Sequence, residues 1–163
     1  MSQHFSTHDG SAIVTDLVSV IVANREYLSE VDGAIGDGDH GINMAKGFAH
    51  CGRTLEGRQL TLAEALDELT LSLMEGIGGS MGPLYGSLFI GMADEVRGSE
   101  NIDAATFAHL LRGGLTSLQD ITERGVGDKC LMDTLIPAVE AFEQAQAAGA
   151  SFSDALDAMK SAA

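Results

Sequence analysis

An all-α single domain, a barrel or bundle of antiparallel amphipathic helices, is the fold class this sequence predicts. Three observations carry that expectation. Apolar residues recur at helical spacing almost everywhere, no stretch reads as a convincing strand, and the 20 glycines gather in a few short segments. At 163 residues with 45% hydrophobic content, the chain suits one domain with a real core. No linker, internal repeat or low-complexity block divides it. Residues 1–163 are therefore read as one domain, with residues 1–10 expected to be flexible.

The elements follow in order. From Ser11 to about Glu30, Ile13, Leu17, Val20 and Ile21 form one apolar face; Val14, Val18 and Val22 widen it, which predicts deep burial. A glycine-rich acidic loop follows, and a second helix runs from near Gly41 to about Leu55. Thr61 with Glu64 reads as a capping box for a third helix carrying Leu62, Leu66, Leu69 and Leu73. That helix stops at "EGIGGSMGP". Pro83 fits the first turn of the fourth, where its missing N–H costs little, and Leu84, Leu88, Met92 and Val96 fall four apart. Asp103 can cap a fifth helix bearing Phe107, Leu110, Leu111, Leu118 and Ile121, which "ERGVGDK" ends. A sixth carries Leu135, Val139 and Phe142, with Pro137 early in it. Ser153 can cap a short last helix with Leu156 and Met159. The total expected is six or seven.

Formal charge is −15, from 24 acidic and 9 basic residues. A nucleic-acid binder needs a basic footprint, and none is visible. Cys51 and Cys130 make no CxxC and no disulfide framework; Cys130 is expected to be a small buried helix residue. The N-terminus lacks a basic region followed by an apolar core, and no apolar run reaches membrane-spanning length. The cytoplasm is the expected location, with an acidic face suited to docking on a more basic partner.

In an up-and-down bundle alternate loops share a pole. "DGAIGDGDHG", "GIGGSMGP" and "RGVGDK" follow the first, third and fifth predicted helices, so topology places them together. The first is chemically the clearest. Asp32, Asp37 and Asp39 bring three carboxylates onto a backbone with little side-chain bulk, and hard divalent cations such as Mg²⁺ take such oxygens together with phosphate and water. A cation would offset their mutual repulsion, and His40 could donate a hydrogen bond to a phosphate. The competing reading is a solvated acidic turn capping the second helix. An EF-hand fails, because Gly41 and Phe48 stand where ligands are needed. A zinc site fails too: His4, His8, His50 and His109 show no ligand spacing.

The second loop opens a helix. Backbone N–H groups there can receive an anion, and Ser80 adds a hydroxyl; an interhelical turn is the plain alternative. There is no GxxxxGK[ST]. Lysine is nearly absent from the expected phosphate pocket, so phosphate charge would be met by metal and backbone dipoles. The third loop, with Asp128 and Lys129, reads by itself as a surface turn.

"VDGAIGDGDHGINMAKGF", "GIGGSMGPLYG" and "RGVGDK" followed by "PAVEAF" resemble the nucleotide-binding L subunit of dihydroxyacetone kinase and the equivalent domain of single-chain forms, from about Ser11 to the end. The resemblance implies a barrel of antiparallel helices with nucleotide, ADP or ATP, at one end. It implies two Mg²⁺ ions on Asp32, Asp37 and Asp39. It implies nucleotide contacts from His40, Gly41, Ile42 and Asn43, from Gly79, Ser80 and Met81, and from Gly125 and Leu131. It further implies phosphoryl transfer to a small hydroxyketone on a separate dihydroxyacetone-binding K subunit. The phosphate would come from exchanging ATP, or from a phosphotransferase-system protein that rephosphorylates bound ADP; a homo-oligomer is allowed. Three departures stand out. The family usually has serine where Met81 stands, and threonine-methionine where Cys130-Leu131 stands. Its members also continue beyond the position of Ala163 into further helices that close over the nucleotide, so the expectation is an incomplete portion or a more open site. The rival reading is a non-catalytic nucleotide-sensing subunit that regulates a transcription factor or partner by contact. A Mg²⁺-dependent phosphohydrolase would want its aspartates at a strand end.

Overall fold

The computed structural model describes residues 3–163. Among them eight helices hold nearly all the regular structure: α1 (Gly10–Ala23), α2 (Arg25–Gly33), α3 (His40–Leu55), α4 (Leu62–Gly76), α5 (Met81–Val96), α6 (Ala104–Gln119), α7 (Met132–Ala147) and α8 (Phe152–Ala162). The all-α expectation therefore stands. From α3 onward each helix packs on the next, and α1 packs on both α3 and α4. No helix among the described residues is long and apolar enough to cross a membrane.

The first predicted helix is two. It breaks at Asn24, whose side-chain amide donates to the Val20 carbonyl at 2.8 Å; asparagine offers the backbone this local alternative and so interrupts helices. The path continues almost unbroken, because the Leu28 N–H donates to the Asn24 carbonyl at 2.9 Å. The deep burial expected for this segment is corrected. Val14 and Val18 are buried, whereas Leu17, Val20 and Val22 are exposed. An apolar stripe wider than the neighbouring helices can cover leaves part of itself in water.

Two short strands correct the strand-free reading. β1 (His4–Ser6) pairs antiparallel with β2 (Asn101–Asp103), Phe5 opposite Ile102. Three-residue strands are too short for alternation to reveal. They also bear on the flexibility expected of residues 1–10. Residues 1 and 2 lie outside the described residues, but Thr7 is buried and its hydroxyl donates to the Ser99 carbonyl at 2.8 Å. Ser11 Oγ in turn accepts the Leu60 N–H at 2.9 Å. The start of α1, the start of α4 and the β2 segment are thus fastened at one pole. Phe5 stacks on Phe152 there, with centroids 6.2 Å apart, and Phe107 lies 5.2 Å from Phe142.

Helix starts follow local chemistry. The capping box forms: the Thr61 N–H donates to Glu64 Oε2 at 2.9 Å, and the Glu64 N–H donates back to Thr61 Oγ1. Asp103 Oδ1 accepts the Thr106 N–H at 2.8 Å, as expected. For α8 the cap is Ser151 rather than Ser153; Ser151 is extended and its Oγ accepts the Asp154 N–H at 3.1 Å, while Ser153 lies inside the first turn. The core is a single cluster that includes the fully buried Leu69, Leu73, Leu115, Met132 and Phe142.

Candidate metal centre and adjoining cavity

Because α1 starts at the strand pole, α2 ends at the opposite one. Running α3 away, α4 back, α5 away and α6 back returns the chain to that second pole at residues 34–39, 77–80 and 120–131. The three glycine-rich loops thus occupy the positions that alternation predicts. Ile77 illustrates the convergence, since its side chain lies against Gly47 in the second turn of α3.

The first loop folds around Asp32, in the last turn of α2. Its backbone carbonyl accepts the Ile35 and Gly36 N–H groups, at 3.1 and 2.6 Å. Its Oδ2 accepts the Gly38 N–H at 2.9 Å and, more loosely, the His40 N–H at 3.4 Å. Gly38 is in the left-handed region (φ 77°), which glycine enters without steric cost. At Gly36 a Cβ would sit 2.5 Å from Asp32 Oδ1, so a side chain there would displace this carboxylate. The loop thereby turns Asp37 and Asp39 toward Asp32: carboxylate oxygens of all three lie within 4.8 Å of one another.

Each carboxylate has one oxygen engaged. Asp32 uses Oδ2, Asp37 uses Oδ1 for the Asp39 N–H at 3.4 Å, and Asp39 uses Oδ2 for the Asn43 side-chain amide at 2.7 Å. Their other oxygens carry no hydrogen bond within the described residues. Among the described residues no ion pair reaches the three either, the pairs present there being Arg58–Glu68, Arg97 with Asp67 and Asp94, and Arg112–Glu143. Three like charges held this close, each with an oxygen free of hydrogen bonds and with no ion pair among the described residues, form a donor set that fits Mg²⁺.

Asn43 orients Asp39 from one helical turn away. His40 opens α3 and is half-buried, Ile42 is exposed, and Gly41 is buried where α3 crosses α2. A Cβ at Gly41 would lie 2.0 Å from the Arg25 carbonyl oxygen, so this glycine is required by packing. In the second loop Gly79 (φ 70°) and Ser80 are exposed. Ser80 precedes α5 without giving it a side-chain cap, so the first N–H groups of α5 are without intrahelical acceptors. Met81 instead packs against the core.

The third loop holds what the sequence did not reveal. Asp133, in the first turn of α7, accepts the Gly127 N–H with Oδ1 at 2.6 Å and the Cys130 N–H with Oδ2 at 2.7 Å. Those bonds, the Cys130 one foremost, hold its carboxyl below the ordinary aspartate value. Asp128 Oδ2 accepts the Gly125 N–H at 2.8 Å, so that N–H is already engaged. Between this loop and the ends of α5 and α6 lies a cavity of about 370 Å³, lined by Leu84, Leu118, Leu131, Met132 and Cys130 among others. Leu131, expected to contact nucleotide, lines this cavity. Cys130 is exposed in the loop, correcting the buried helix position expected for it. Arg124 and Lys129 also line the cavity, so this part of the pole is less poor in cations than the lysine count suggested. The four histidines outside the motif do not cluster; His8 and His109 are exposed on separate elements.

The sequence is similar to several kinase subunits. It is 33% identical over 132 residues to a Listeria innocua protein named "PEP-dependent dihydroxyacetone kinase 1, ADP-binding subunit DhaL", covering 80% of this chain and 66% of the relative. It is 38% identical over 114 residues to the Lactococcus lactis "PTS-dependent dihydroxyacetone kinase, ADP-binding subunit DhaL", covering 69% of this chain and 57% of the relative. Mouse triokinase/FMN cyclase is 33% identical over 155 residues, 93% of this chain and 26% of that much longer protein. The chain thus spans about 57–66% of the length of these two bacterial relatives. The DAK2 domain profile matches residues 34–163, from the aspartate loop to the end of α8, and the chain belongs to the DAK2 domain family.

Proposed function

We propose that this chain is the ADP- or ATP- and Mg²⁺-binding subunit of a dihydroxyacetone kinase, working in the cytoplasm with a K subunit that holds a small hydroxyketone. The observation that carries this reading is the convergence of Asp32, Asp37 and Asp39 within 4.8 Å, with no ion pair to them among the described residues, in a DAK2 domain. These three residues would hold two Mg²⁺ ions. Bound there, the ions supply charge neutralisation of nucleotide phosphate oxygens.

The chain's own groups do the rest by positioning. Gly38 and His40, through their N–H groups, fix Asp32; Asn43 fixes Asp39. The free N–H groups opening α5, with Gly79 and Ser80, offer donors to a phosphate oxygen. The His40 imidazole and Ile42 would form the neighbouring wall, with Gly41 holding α3 against α2 behind them. Leu131 lines the cavity that would take the base, beside the turn that Gly125 opens; Met81 packs against the core and brings no hydroxyl to the second loop. No residue of this chain serves as a covalent nucleophile; the attacking hydroxyl is that of the hydroxyketone, and the base that activates it lies on the K subunit.

Adding Mg²⁺ and ADP together should raise the melting temperature; at 100 times the dissociation constant the gain is about 2.7 kcal/mol. No shift with either ADP or ATP, in the presence of Mg²⁺, would refute the reading. Mixing the chain with a K subunit, dihydroxyacetone and ATP, with and without a phosphotransferase-system donor protein, tests catalysis and separates the two phosphate sources. Nucleotide binding without turnover from either source would favour the sensing role.

A further inference from the structure

The third loop poses a conformational problem that its own sequence does not solve. Residues 120–131 form no helix or strand, yet their backbone takes two left-handed residues close together, Gly127 (φ 101°) and Lys129 (φ 55°). Glycine tolerates that region; lysine is disfavoured there by its Cβ. Such a residue persists where the surroundings over-determine it. Asp128 closes the turn that starts at Gly125, and the N–H groups that flank Lys129 go to one carboxylate. Asp133 receives the N–H groups on either side of Lys129, from Gly127 at 2.6 Å and Cys130 at 2.7 Å. Asp133 is itself anchored by position, one residue after the buried Met132 at the start of α7.

The pinned segment faces inward on the cavity of about 370 Å³, where Asp128, Lys129, Cys130 and Leu131 form one wall and Leu84 and Leu118 the other. That volume lies in the range of small-molecule sites. The cavity is walled by the loop and by the ends of α5 and α6, whereas the three clustered carboxylates come from the α2–α3 segment. Resting on the nucleotide reading above, we propose that Asp133 is a positioning residue: by holding the Gly127 and Cys130 N–H groups it sets the loop wall against which the nucleobase packs. It touches no ligand and takes no part in holding metal. Its contribution is selective for ligands that carry a base.

The selectivity makes the role separable from a general structural one. With Mg²⁺ present throughout, titration calorimetry compares ADP with inorganic pyrophosphate, a probe that has phosphates and no base. Asp133→Ala should weaken ADP binding by about tenfold or more and leave pyrophosphate within twofold of the wild type. Asp133→Asn, which keeps one acceptor oxygen and almost the same size, preserves folding and should weaken ADP by an intermediate factor, again sparing pyrophosphate. Unchanged ADP affinity in both variants overturns the positioning role and leaves the nucleotide reading intact. Equal loss of ADP and pyrophosphate also overturns it, since that is the result of general loosening. A wild-type chain that binds pyrophosphate but not ADP removes the nucleotide reading, and this inference with it.

Discussion

Gly38 donates its backbone N–H to Oδ2 of Asp32 across 2.9 Å, and a carboxylate oxygen of the same residue lies within 4.8 Å of oxygens of Asp37 and Asp39. One side chain therefore shapes the loop and supplies a ligand. The three aspartates should separate accordingly. Asp37→Asn, at an exposed position, should change apo stability by no more than about 0.5 kcal/mol and abolish the thermal shift caused by Mg²⁺ with ADP. Asp32→Ala should abolish the shift and also cost about 1.5–3 kcal/mol, the range for a lost hydrogen bond to a charged group. Urea titrations with and without Mg²⁺·ADP check both. Unfolding of the apo protein by Asp37→Asn would make that residue structural and remove the metal assignment.

Gly41 makes a different prediction, because its place in the motif has a packing cause. A Cβ there would lie 2.0 Å from the Arg25 carbonyl oxygen and 2.7 Å from the Ser29 nitrogen. Backbone atoms cannot swing aside as a side-chain end can. Gly41→Ala should push α2 and α3 apart at a cost of about 1–3 kcal/mol, with nucleotide affinity falling because Asp32 and Asp39 sit on the displaced elements. A stability measurement within error of the wild type would show that the crossing is looser than the structure has it.

The helices were readable because their signals are local. Thr61 with Glu64 names a start by itself, and Leu62, Leu66, Leu69 and Leu73 name a face. The three aspartates were readable for a related reason: they crowd into eight residues, and crowded like charge among glycines demands an explanation. What escaped was non-local or reversed in direction. Asp133 bonds N–H groups that precede it in the chain, a pattern with no counterpart to the forward-looking capping box. The pairing of β1 with β2 spans nearly a hundred residues. Cys130 was misplaced because the helix that follows was expected to absorb it, whereas the pin at Asp133 keeps residues 127–130 outside α7.

The two cysteines should report on that loop. Cys51 is fully buried in α3, and burial pushes its thiol up to about 11; the thiolate is the reactive form. Cys130 is exposed and lines the cavity. A thiol reagent at pH 8 should therefore modify one cysteine quickly in the native protein and the second only on denaturation. Mg²⁺·ADP should slow the fast reaction several-fold. Peptide mapping identifies the labelled residue. Rapid labelling that nucleotide leaves unaltered would place the base elsewhere than in this cavity.

Asp103 links the strand pole to pH. Its Oδ1 accepts both the Thr106 N–H, at 2.8 Å, and the Thr106 hydroxyl, at 2.9 Å. Those bonds, the N–H foremost, hold its carboxyl below the ordinary value. A carboxylate lower in the folded state than in the unfolded one, where aspartate lies near 3.9, releases its proton more readily when folded. Its stabilisation is therefore fully present above about pH 5 and is lost as pH falls through the folded-state value. Asp103→Ala should cost about 1 kcal/mol at pH 7 as a lost helix cap. The difference from the wild type should shrink as pH falls through the folded-state value of Asp103. Asp103→Asn keeps the cap without the titration, so its stability should follow the wild type at pH 7 and fall less steeply below pH 4. Urea midpoints for the three proteins across pH 3–7 measure this directly; parallel curves for wild type and Asp103→Asn would mean that the cap at α6 draws nothing from the charge.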